Sequence, residues 1–310
     1  MQPLTILYVL TTSGRGRFAT MTYLSVQALR RFNPNVRPVL LCDQASRCVL
    51  SAQFPALLAS FDRVVADPVD ISDLRIRSRY LKTIIREAVD GDFVYLDIDT
   101  LPVRRFDDIA GEWDVAAVQD RTHYCPVTPC FPYWRALDYE KLGWDHPLPR
   151  FYNSGVVFMR DNTATRALSN EWQKRWRELF TIGREDDDQF ALTSALYAVD
   201  NLRVKELDTR YNAMVRVHPI HSRGAKIYHF FAGNTADMGD SLLEHLIRHF
   251  DASGEVDWEA IDRCVALDHP WMPPYWPRRL WQTGNRVRAV VTAARQRLGL
   301  EPRVTPASPH

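Results

Sequence analysis

The sequence contains no apolar run near the roughly 20 residues that a membrane-spanning helix needs. It has no excess of charge of either sign, because 39 Lys and Arg stand against 38 Asp and Glu. The formal net charge of +1 therefore gives no signal for nucleic acid as a partner. Internal repeats are absent. Hydrophobic residues make up 46% of the 310 positions, which is enough for the core of one large α/β domain or two small ones.

Cysteine is scarce and follows no metal or redox motif. The five cysteines form no C-x-x-C pair. The apolar segment Ile6 to Leu10 is shorter than a secretory signal peptide requires. We therefore expect reduced thiols and a cytoplasmic chain. The spacing of Cys125 and Cys130 leaves a metal or a disulfide as an alternative to two isolated loop thiols.

Strand and helix patterns alternate along the chain. This alternation predicts an α/β fold with a mainly parallel, doubly wound sheet. The expected strands are 4–10, 36–41, 61–66, 93–96, 113–118, 151–160, 201–207 and 225–230. The expected helices are 18–32, 45–58, 76–89, 164–180, one that opens near 185–189 and runs to about 197, and 285–298.

Two carboxylates follow the apolar strand 93–96. Asp97 and Asp99 are two residues apart, so in extended chain their side chains leave on the same face. Like charges held this close repel unless a cation lies between them, and oxygen ligands suit Mg²⁺ or Mn²⁺. Open α/β sheets also bind ligands at the carboxyl ends of their strands. The pattern is typical of a metal that holds nucleotide phosphates; a polar turn is the alternative.

Other polar segments have less specific patterns. The loop 11–17 contains Gly14-x-Gly16, which is neither a dinucleotide fingerprint nor a phosphate loop. The acidic cluster 185–188 suits a helix N-terminus, and its members are expected to favour that end electrostatically. Residues 121–152 are rich in Pro and aromatics, and we interpret them as a lid or acceptor loop facing a sugar, with a disordered insertion as the alternative.

In chain order these segments resemble a glycosyltransferase of the GT-A fold with an Asp-x-Asp motif. The resemblance covers roughly residues 4–235, and more narrowly it is to the retaining group that includes glycogenin and bacterial lipooligosaccharide galactosyltransferases. It rests on Thr11-Thr12 with Phe18, Leu96-Asp97-Ile98-Asp99-Thr100-Leu101, Asn153-Ser154-Gly155, Asp188-Gln189 and His229. After His229 the sequence departs from the family pattern, because Gly233 comes one position late and the family's Lys is missing.

The resemblance implies a role for each matching residue. As ligands of Mn²⁺ or Mg²⁺ it implies Asp97, Asp99 and His229. As donor-binding residues it implies Thr11, Thr12, Phe18, Arg79, Lys82, Asp97, Asp120, Asn153 and Ser154. Asp188 and Gln189 are implied as the catalytic pair at the donor sugar, where a carboxylate would stabilise a cation-like anomeric carbon.

The implied activity is metal-dependent transfer of a hexose, with retention, from a nucleotide-diphosphate donor such as a UDP-sugar. The implied acceptor is a glycan or lipid-linked glycan in polysaccharide biosynthesis, with no nucleic acid as partner. An inverting transferase of the same fold is the alternative within this class. A sugar-nucleotide pyrophosphorylase and a non-catalytic carbohydrate-binding protein are alternatives from other classes.

The C-terminal part has a different composition. We expect a catalytic domain in residues 1–250 and a helical, basic and aromatic extension in 251–310. No acidic residue lies between Arg278 and Leu300, and Trp and Tyr stand beside the arginines. This composition is typical of a segment, here 271–300, that lies on an anionic membrane as a peripheral protein on the inner face. A basic helix docked on the enzyme's own core or on a second subunit is the alternative.

Overall fold

The computed structural model describes residues 3–120, 136–145, 148–184, 187–216, 219–231 and 240–303. Its strands are β1 Thr5–Leu10, β2 Arg37–Asp43, β3 Arg63–Asp67, β4 Phe93–Leu96, β5 Thr100–Pro102, β6 Val115–Gln119, β7 Tyr152–Met159, β8 Val204–Leu207, β9 Ala213–Met214 and β10 Ile227–His229. Its α-helices are α1 Arg17–Phe32, α2 Gln44–Gln53, α3 Pro55–Ala59, α4 Leu74–Thr83, α5 Ile85–Ala88, α6 Ala136–Leu142, α7 Thr163–Leu179, α8 Asp188–Ala198, α9 Leu242–Ser253, α10 Trp258–Leu267, α11 Pro277–Gln282 and α12 Arg286–Arg297.

The chain forms two compact units. The first comprises residues 1–98 and 106–208, and the second comprises 99–105 and 209–310. The sequence-based boundary at residue 250, which separates a catalytic domain from an extension of different composition, stays a prediction.

The first unit is built on a seven-stranded sheet in the order β3-β2-β1-β4-β7-β6-β8. Strands β1 to β4 pair in parallel, and so do β6 and β8. Strand β7 runs antiparallel to both of its neighbours, β4 and β6. The predicted mainly parallel α/β fold is confirmed. Because β7 is reversed, it begins at the edge where β4 and β6 end.

Helices cover both faces of this sheet, as a doubly wound fold requires. On one face Leu7 and Val9 join a core that includes Leu81 of α4 and Trp172 of α7. Tyr8 points to the other face, where its hydroxyl is 3.0 Å from that of Ser25 in α1. Every residue of β1 and β4 is buried. The apolar runs that predicted these strands therefore reflect burial on two sides.

Two helices predicted as continuous are broken, and each break has a local cause. The predicted helix 45–58 becomes α2 and α3, because Pro55 has no N–H with which to continue α2 and is instead the first residue of α3. The predicted helix 76–89 becomes α4 and α5, with Ile84 at φ −105°, ψ 11° between them. That break falls in the run Thr83-Ile84-Ile85, whose branched side chains crowd a helix.

The second unit contains a three-stranded sheet in the order β5-β10-β9. Strand β10 is antiparallel to β5, with His229 opposite Thr100, and parallel to β9. The sequence predicted a strand at 225–230 but neither of the short strands that flank it. Helices α9 to α12 follow in the same unit. Within the described residues, no helix combines the length and apolarity that crossing a membrane requires.

Helix α12 turns its predicted apolar side outward. Ala289, Thr292 and Gln296 are its buried residues, and Gln296 donates to the carbonyl of Tyr275 at 3.1 Å. The opposite side is exposed and comprises Val287, Val290, Val291 and Ala294. Small and polar residues therefore attach this helix to its unit, and its valines do not.

Candidate functional site

Most of the predicted donor-site residues lie at one edge of the seven-stranded sheet. Asp97 directly follows β4, and Asp120 directly follows β6. Asn153 and Ser154 lie near the start of β7, which reaches the same edge because it is antiparallel to both strands. Backbone bonds continue the pairing to the edge, from Asp97 N to the Gly155 carbonyl at 2.8 Å and from Asp120 N to the Phe151 carbonyl at 2.8 Å.

Lys82 of α4 joins three of these side chains. Its ammonium lies 3.0 Å from Asp97 Oδ1 and 3.2 Å from Asp188 Oδ2. It also donates to Ser154 Oγ at 3.0 Å. The Lys82 side chain is only 2% exposed. A buried ammonium needs a partner for each of its three hydrogens, and these three oxygens supply them.

Asp188 lies between two basic side chains. Arg79 Nε is 3.2 Å from its Oδ1, while Lys82 and the Ser154 hydroxyl contact its Oδ2. Burial alone would raise the pKa of Asp188, but the opposing charges of Lys82 and Arg79 outweigh burial and lower it. The carboxylate is therefore held ionised. It does not cap α8, whose N-cap is Asp187.

Asp120, Asn153 and Gln189 form a second, closed network. Asp120 Oδ2 accepts from Asn153 Nδ2 at 3.0 Å and from Gln189 Nε2 at 2.8 Å. Asn153 Nδ2 also donates to Gln189 Oε1 at 3.1 Å. Asn153 Oδ1 in turn accepts from the Gly155 amide at 2.9 Å. These polar groups orient one another through hydrogen bonds within the protein.

The loop after β1 uses its threonines for its own structure. Thr11 Oγ1 donates to the Leu74 carbonyl at 2.8 Å, which ties the loop to the first residue of α4. Thr12 Oγ1 donates to the Gly14 carbonyl at 2.6 Å, and the Thr12 amide donates to Ser46 Oγ at 2.8 Å. Phe18, near the start of α1, is 45% exposed. Donor contact by these three residues stays a prediction.

Asp99 and His229 meet in the second unit. His229 Nε2 lies 3.3 Å from Asp99 Oδ1, and His229 Nδ1 is 2.8 Å from Asn212 Oδ1. An Nδ1–H that donates to Asn212 leaves the lone pair of His229 on Nε2, which is the nitrogen that faces Asp99. This is the arrangement by which an outer hydrogen bond orients a metal-ligating histidine.

The side chains of Asp97, Asp99 and His229 suit a divalent cation such as Mn²⁺ or Mg²⁺. Carboxylate oxygens and one imidazole nitrogen are suitable ligands for Mn²⁺. Asp97 has further partners in the first unit, because Tyr95 donates to its Oδ1 at 2.5 Å and Lys82 contacts the same oxygen. Burial and the Asp97 charge raise the pKa of Tyr95, so its hydroxyl remains a donor.

The sequence patterns did not predict that Lys82 joins Asp97, Asp188 and Ser154. They also did not predict that Tyr95 donates to Asp97. Arg79 and Lys82 are three residues apart, and residues at this spacing share one face of a helix, so their proximity was predictable. That both would pair with Asp188 depends on how α4 packs beside α8, which no local pattern encodes. The central residues of the predicted acceptor loop, 121–135 and 146–147, lie outside the described residues, as does Gly233.

No protein-family model and no curated protein matches the chain. Solved structures do match. Galactosyltransferase LgtC, solved with donor and acceptor sugar analogues, is 15% identical over 74% of this chain and 88% of that chain, with a TM-score of 0.49. Mouse xyloside xylosyltransferase 1 is 15% identical over 74% and 98%, with a TM-score of 0.48.

A third match reaches a TM-score of 0.50. It is the glycosyltransferase GlyE of Streptococcus pneumoniae TIGR4, 14% identical over 88% of this chain. The match spans 66% of that chain, slightly less than two thirds. Identity this low shows the fold alone, and the fold is of the GT-A type, as predicted from the sequence.

We predict that Lys82→Met destabilises the protein strongly. The substitution keeps a long, unbranched side chain but leaves Asp97 and Asp188 without the cation they share, and removing one partner of a buried ion pair costs about 3–5 kcal/mol. Lys174→Met is the matched control, because Lys174 is 64% exposed and its loss is expected to change stability by less than about 0.5 kcal/mol.

The test is a double-mutant cycle on chelator-treated protein. Urea unfolding gives the free energy of unfolding of the wild type, Lys82→Met, Asp188→Asn and the double variant. Neutralising Asp188 removes one of the two charges stranded by Lys82→Met. The double variant should therefore be more stable than the sum of the single effects predicts. Additive effects, or a Lys82→Met variant as stable as Lys174→Met, would refute the proposed role of Lys82.

Proposed function

We propose that the protein is a glycosyltransferase that moves a sugar from a nucleotide-diphosphate donor to a glycan or glycolipid. One observation carries the proposal. In a chain with the GT-A type of fold, six of the side chains predicted to bind the donor and the predicted catalytic pair lie together at a single sheet edge of the first unit. These side chains are Arg79, Lys82, Asp97, Asp120, Asn153, Ser154, Asp188 and Gln189. A UDP-sugar is the predicted donor.

Asp97, Asp99 and His229 are the proposed ligands of a divalent cation. When bound, such an ion supplies Lewis-acid stabilisation of the charge on the departing diphosphate. Two features support the assignment. Asp97 and Asp99 are separated in the chain only by Ile98, so their Cα atoms are at most about 7 Å apart. His229, whose orientation is set by Asn212, presents Nε2 to Asp99.

Arg79 and Lys82 take different parts in this proposal. Both were predicted as basic contacts of the diphosphate. Arg79 is 33% exposed and Lys82 only 2%, so Arg79 is the better candidate for phosphate contact. Lys82, whose three hydrogens are directed at Asp97, Asp188 and Ser154, acts as a positioning residue that holds the two carboxylates in place.

The network of Asp120, Asn153 and Gln189 is the proposed site for the hydroxyls of the donor sugar. It offers both amide donors and carboxylate or amide acceptors, and hydroxyl groups need both. Because these side chains hold one another in place by hydrogen bonds, binding needs little further ordering of them, which lowers the cost of recognition. Retention of the anomeric configuration stays a prediction, read from the anomer of the product.

The proposed metal site predicts metal-dependent activity. A screen of nucleotide-sugar donors, scored by released nucleoside diphosphate, should show activity that a chelator abolishes and Mn²⁺ restores. Asp99→Asn keeps the side-chain volume but removes ligand charge, and losing several kcal/mol of transition-state stabilisation lowers turnover about 100-fold or more. Asp262→Asn, an exposed carboxylate on α10, is the control and should be unaffected.

A second variant separates a metal role of His229 from a structural one. His229→Ala should raise the Mn²⁺ concentration that gives half-maximal activity, while saturating Mn²⁺ recovers part of the rate.

Full activity of Asp99→Asn in the presence of chelator would exclude the metal assignment. Release of pyrophosphate from a nucleoside triphosphate and a sugar phosphate would instead identify a pyrophosphorylase.

Asp188→Asn is predicted to lower kcat by about 100- to 1000-fold with little change in nucleotide affinity. The reason is that an electrostatic group at the reacting centre acts mainly in the transition state, where such groups are worth about 2.7–4 kcal/mol. Asp187→Asn is the neighbouring control and should have a small effect. Equal, small effects of the two substitutions on kcat would remove Asp188 from the catalytic machinery.

We further propose that the exposed side of α12 docks on an anionic membrane. Val287, Val290, Val291 and Ala294 lie within a sector of about 100° at 100° per residue. Arg286 and Arg297 flank this sector on one side, and Arg288 and Arg295 flank it on the other. A narrow apolar stripe between two pairs of arginines suits the interface of acidic lipids, where the stripe enters the headgroup layer and the arginines contact phosphates.

The test uses two exposed positions, because truncation at 271 would also remove the buried Trp271 and Leu280. Wild-type protein should sediment with vesicles that contain phosphatidylglycerol at low salt and be released by high salt. Val287→Glu with Val291→Glu should stay in the supernatant with an unchanged melting temperature. Leu137→Glu, at an exposed apolar position in the first unit, is the control. If the wild type fails to sediment, or the double variant sediments equally, lipid binding by α12 is excluded.

A further inference from the structure

A second cluster of metal-ligating side chains lies in the second unit, apart from the residues that the proposed reaction uses. It consists of His245 and His249 on α9 and Asp257 at the start of α10. One ligand atom from each lies within 4.8 Å of the others. His245 Nε2 is 2.7 Å from Asp257 Oδ2, and the two imidazole rings are stacked with centroids 6.1 Å apart. No predicted motif and no proposed role includes these three residues.

Helix geometry explains why the two histidines face the same way. They are four residues apart, a spacing that places side chains on one face of a helix one turn apart. The buried side of α9 is formed by Leu242, Leu243, Leu246, Ile247 and Phe250. The histidines lie beside that side and are half-buried. The same i, i+4 pair of histidines on a helix holds zinc in the H-E-x-x-H motif, although this chain lacks that motif's glutamate.

The turn between the helices fixes the third ligand. Helix α9 ends at Gly254, which is left-handed at φ 76° and whose amide returns to the Phe250 carbonyl at 2.8 Å. Three residues later Asp257 caps α10, with Oδ1 accepting from the Ala260 amide at 2.9 Å. One oxygen of Asp257 is thus used for the cap, while the other is directed at His245. Both ends of this connection are anchored in hydrogen bonds.

We propose that His245, His249 and Asp257 form a zinc-binding site that links α9 to α10. Two imidazoles and one carboxylate with a water in the fourth position is a common zinc coordination. With bond lengths of 2.0–2.2 Å, tetrahedral ligand atoms lie about 3.3 Å apart. In the structure the ligand atoms of the three residues are separated by 2.7 Å to at most 4.8 Å, a range that includes this value. Side-chain rotations that move these atoms by about 1 Å would therefore bring them to the zinc geometry. Binding replaces the hydrogen bond of His245 to Asp257, and the imidazole proton moves to Nδ1.

Calorimetric titration of full-length, chelator-treated protein with ZnCl₂ tests the site, and melting curves with and without zinc provide a second readout. The wild type should bind one more equivalent of zinc than His249→Ala or Asp257→Asn does. Asn remains a good N-cap, so Asp257→Asn isolates the ligand charge from the capping role. At a zinc concentration about 100 times Kd, the wild-type melting temperature should rise by about 5 °C, and this zinc-induced rise should be lost in both variants.

Two control variants keep the result specific. His221→Ala, which changes a histidine outside the cluster, should bind zinc like the wild type. His229→Ala, at the proposed donor-site metal, should retain the extra equivalent, so the two metal assignments stand or fall separately. Equal zinc uptake by the wild type, His249→Ala and Asp257→Asn would overturn the proposal, as would the absence of any zinc-induced rise in the wild-type melting temperature.

Discussion

The candidate site at the sheet edge of the first unit depends on the ammonium of Lys82. Asp97 and Asp188 come from distant parts of the sequence and both contact this one nitrogen. A buried charge of either sign is unfavourable alone, because it loses its hydration. Here two carboxylates and two cations, Lys82 and Arg79, compensate one another, and the Ser154 hydroxyl completes the contacts. The arrangement of α4, β4, β7 and α8 at this edge is what brings these charges together.

The reversed strand β7 makes that arrangement reachable. In a wholly parallel sheet, the residues that open a strand lie at the edge opposite to those that follow its neighbours. Because β7 runs antiparallel between β4 and β6, Asn153 and Ser154 at its start lie beside Asp97 and Asp120 at the ends of the other two. Amide and hydroxyl groups are thereby placed among carboxylates, and the closed network of Asp120, Asn153 and Gln189 follows from this topology.

Sequence patterns predicted the structure correctly where the residues of one short segment determine it. Apolar runs bounded by polar residues predicted β1, β4 and β7 to within one or two residues, and the positions of Asp97 and Asp120 after strands followed from them. Sequence patterns did not predict features that depend on packing between separate segments. The apolar side of α12 was recognisable from its period, but the sequence left open which side packs on the protein, and the structure buries Ala289, Thr292 and Gln296 instead. No sequence pattern singled out His245 and His249, and Asp257 joins them only through the turn that follows α9.

The environment of Asp188 bears on the choice between the two chemical routes open to a retaining transferase. A double displacement needs a carboxylate whose oxygen can attack the anomeric carbon. Lys82 and the Ser154 hydroxyl contact Asp188 Oδ2 and occupy its lone pairs, while Arg79 forms an ion pair with Oδ1. Lys82 and Arg79 also lower the pKa of Asp188 and hence its basicity. Both effects weaken a nucleophile, whereas a carboxylate that stays ionised keeps the negative charge with which it can face a cation-like carbon. The geometry therefore favours a proposal in which Asp188 stabilises charge and the acceptor attacks directly, with its proton passing to the departing diphosphate.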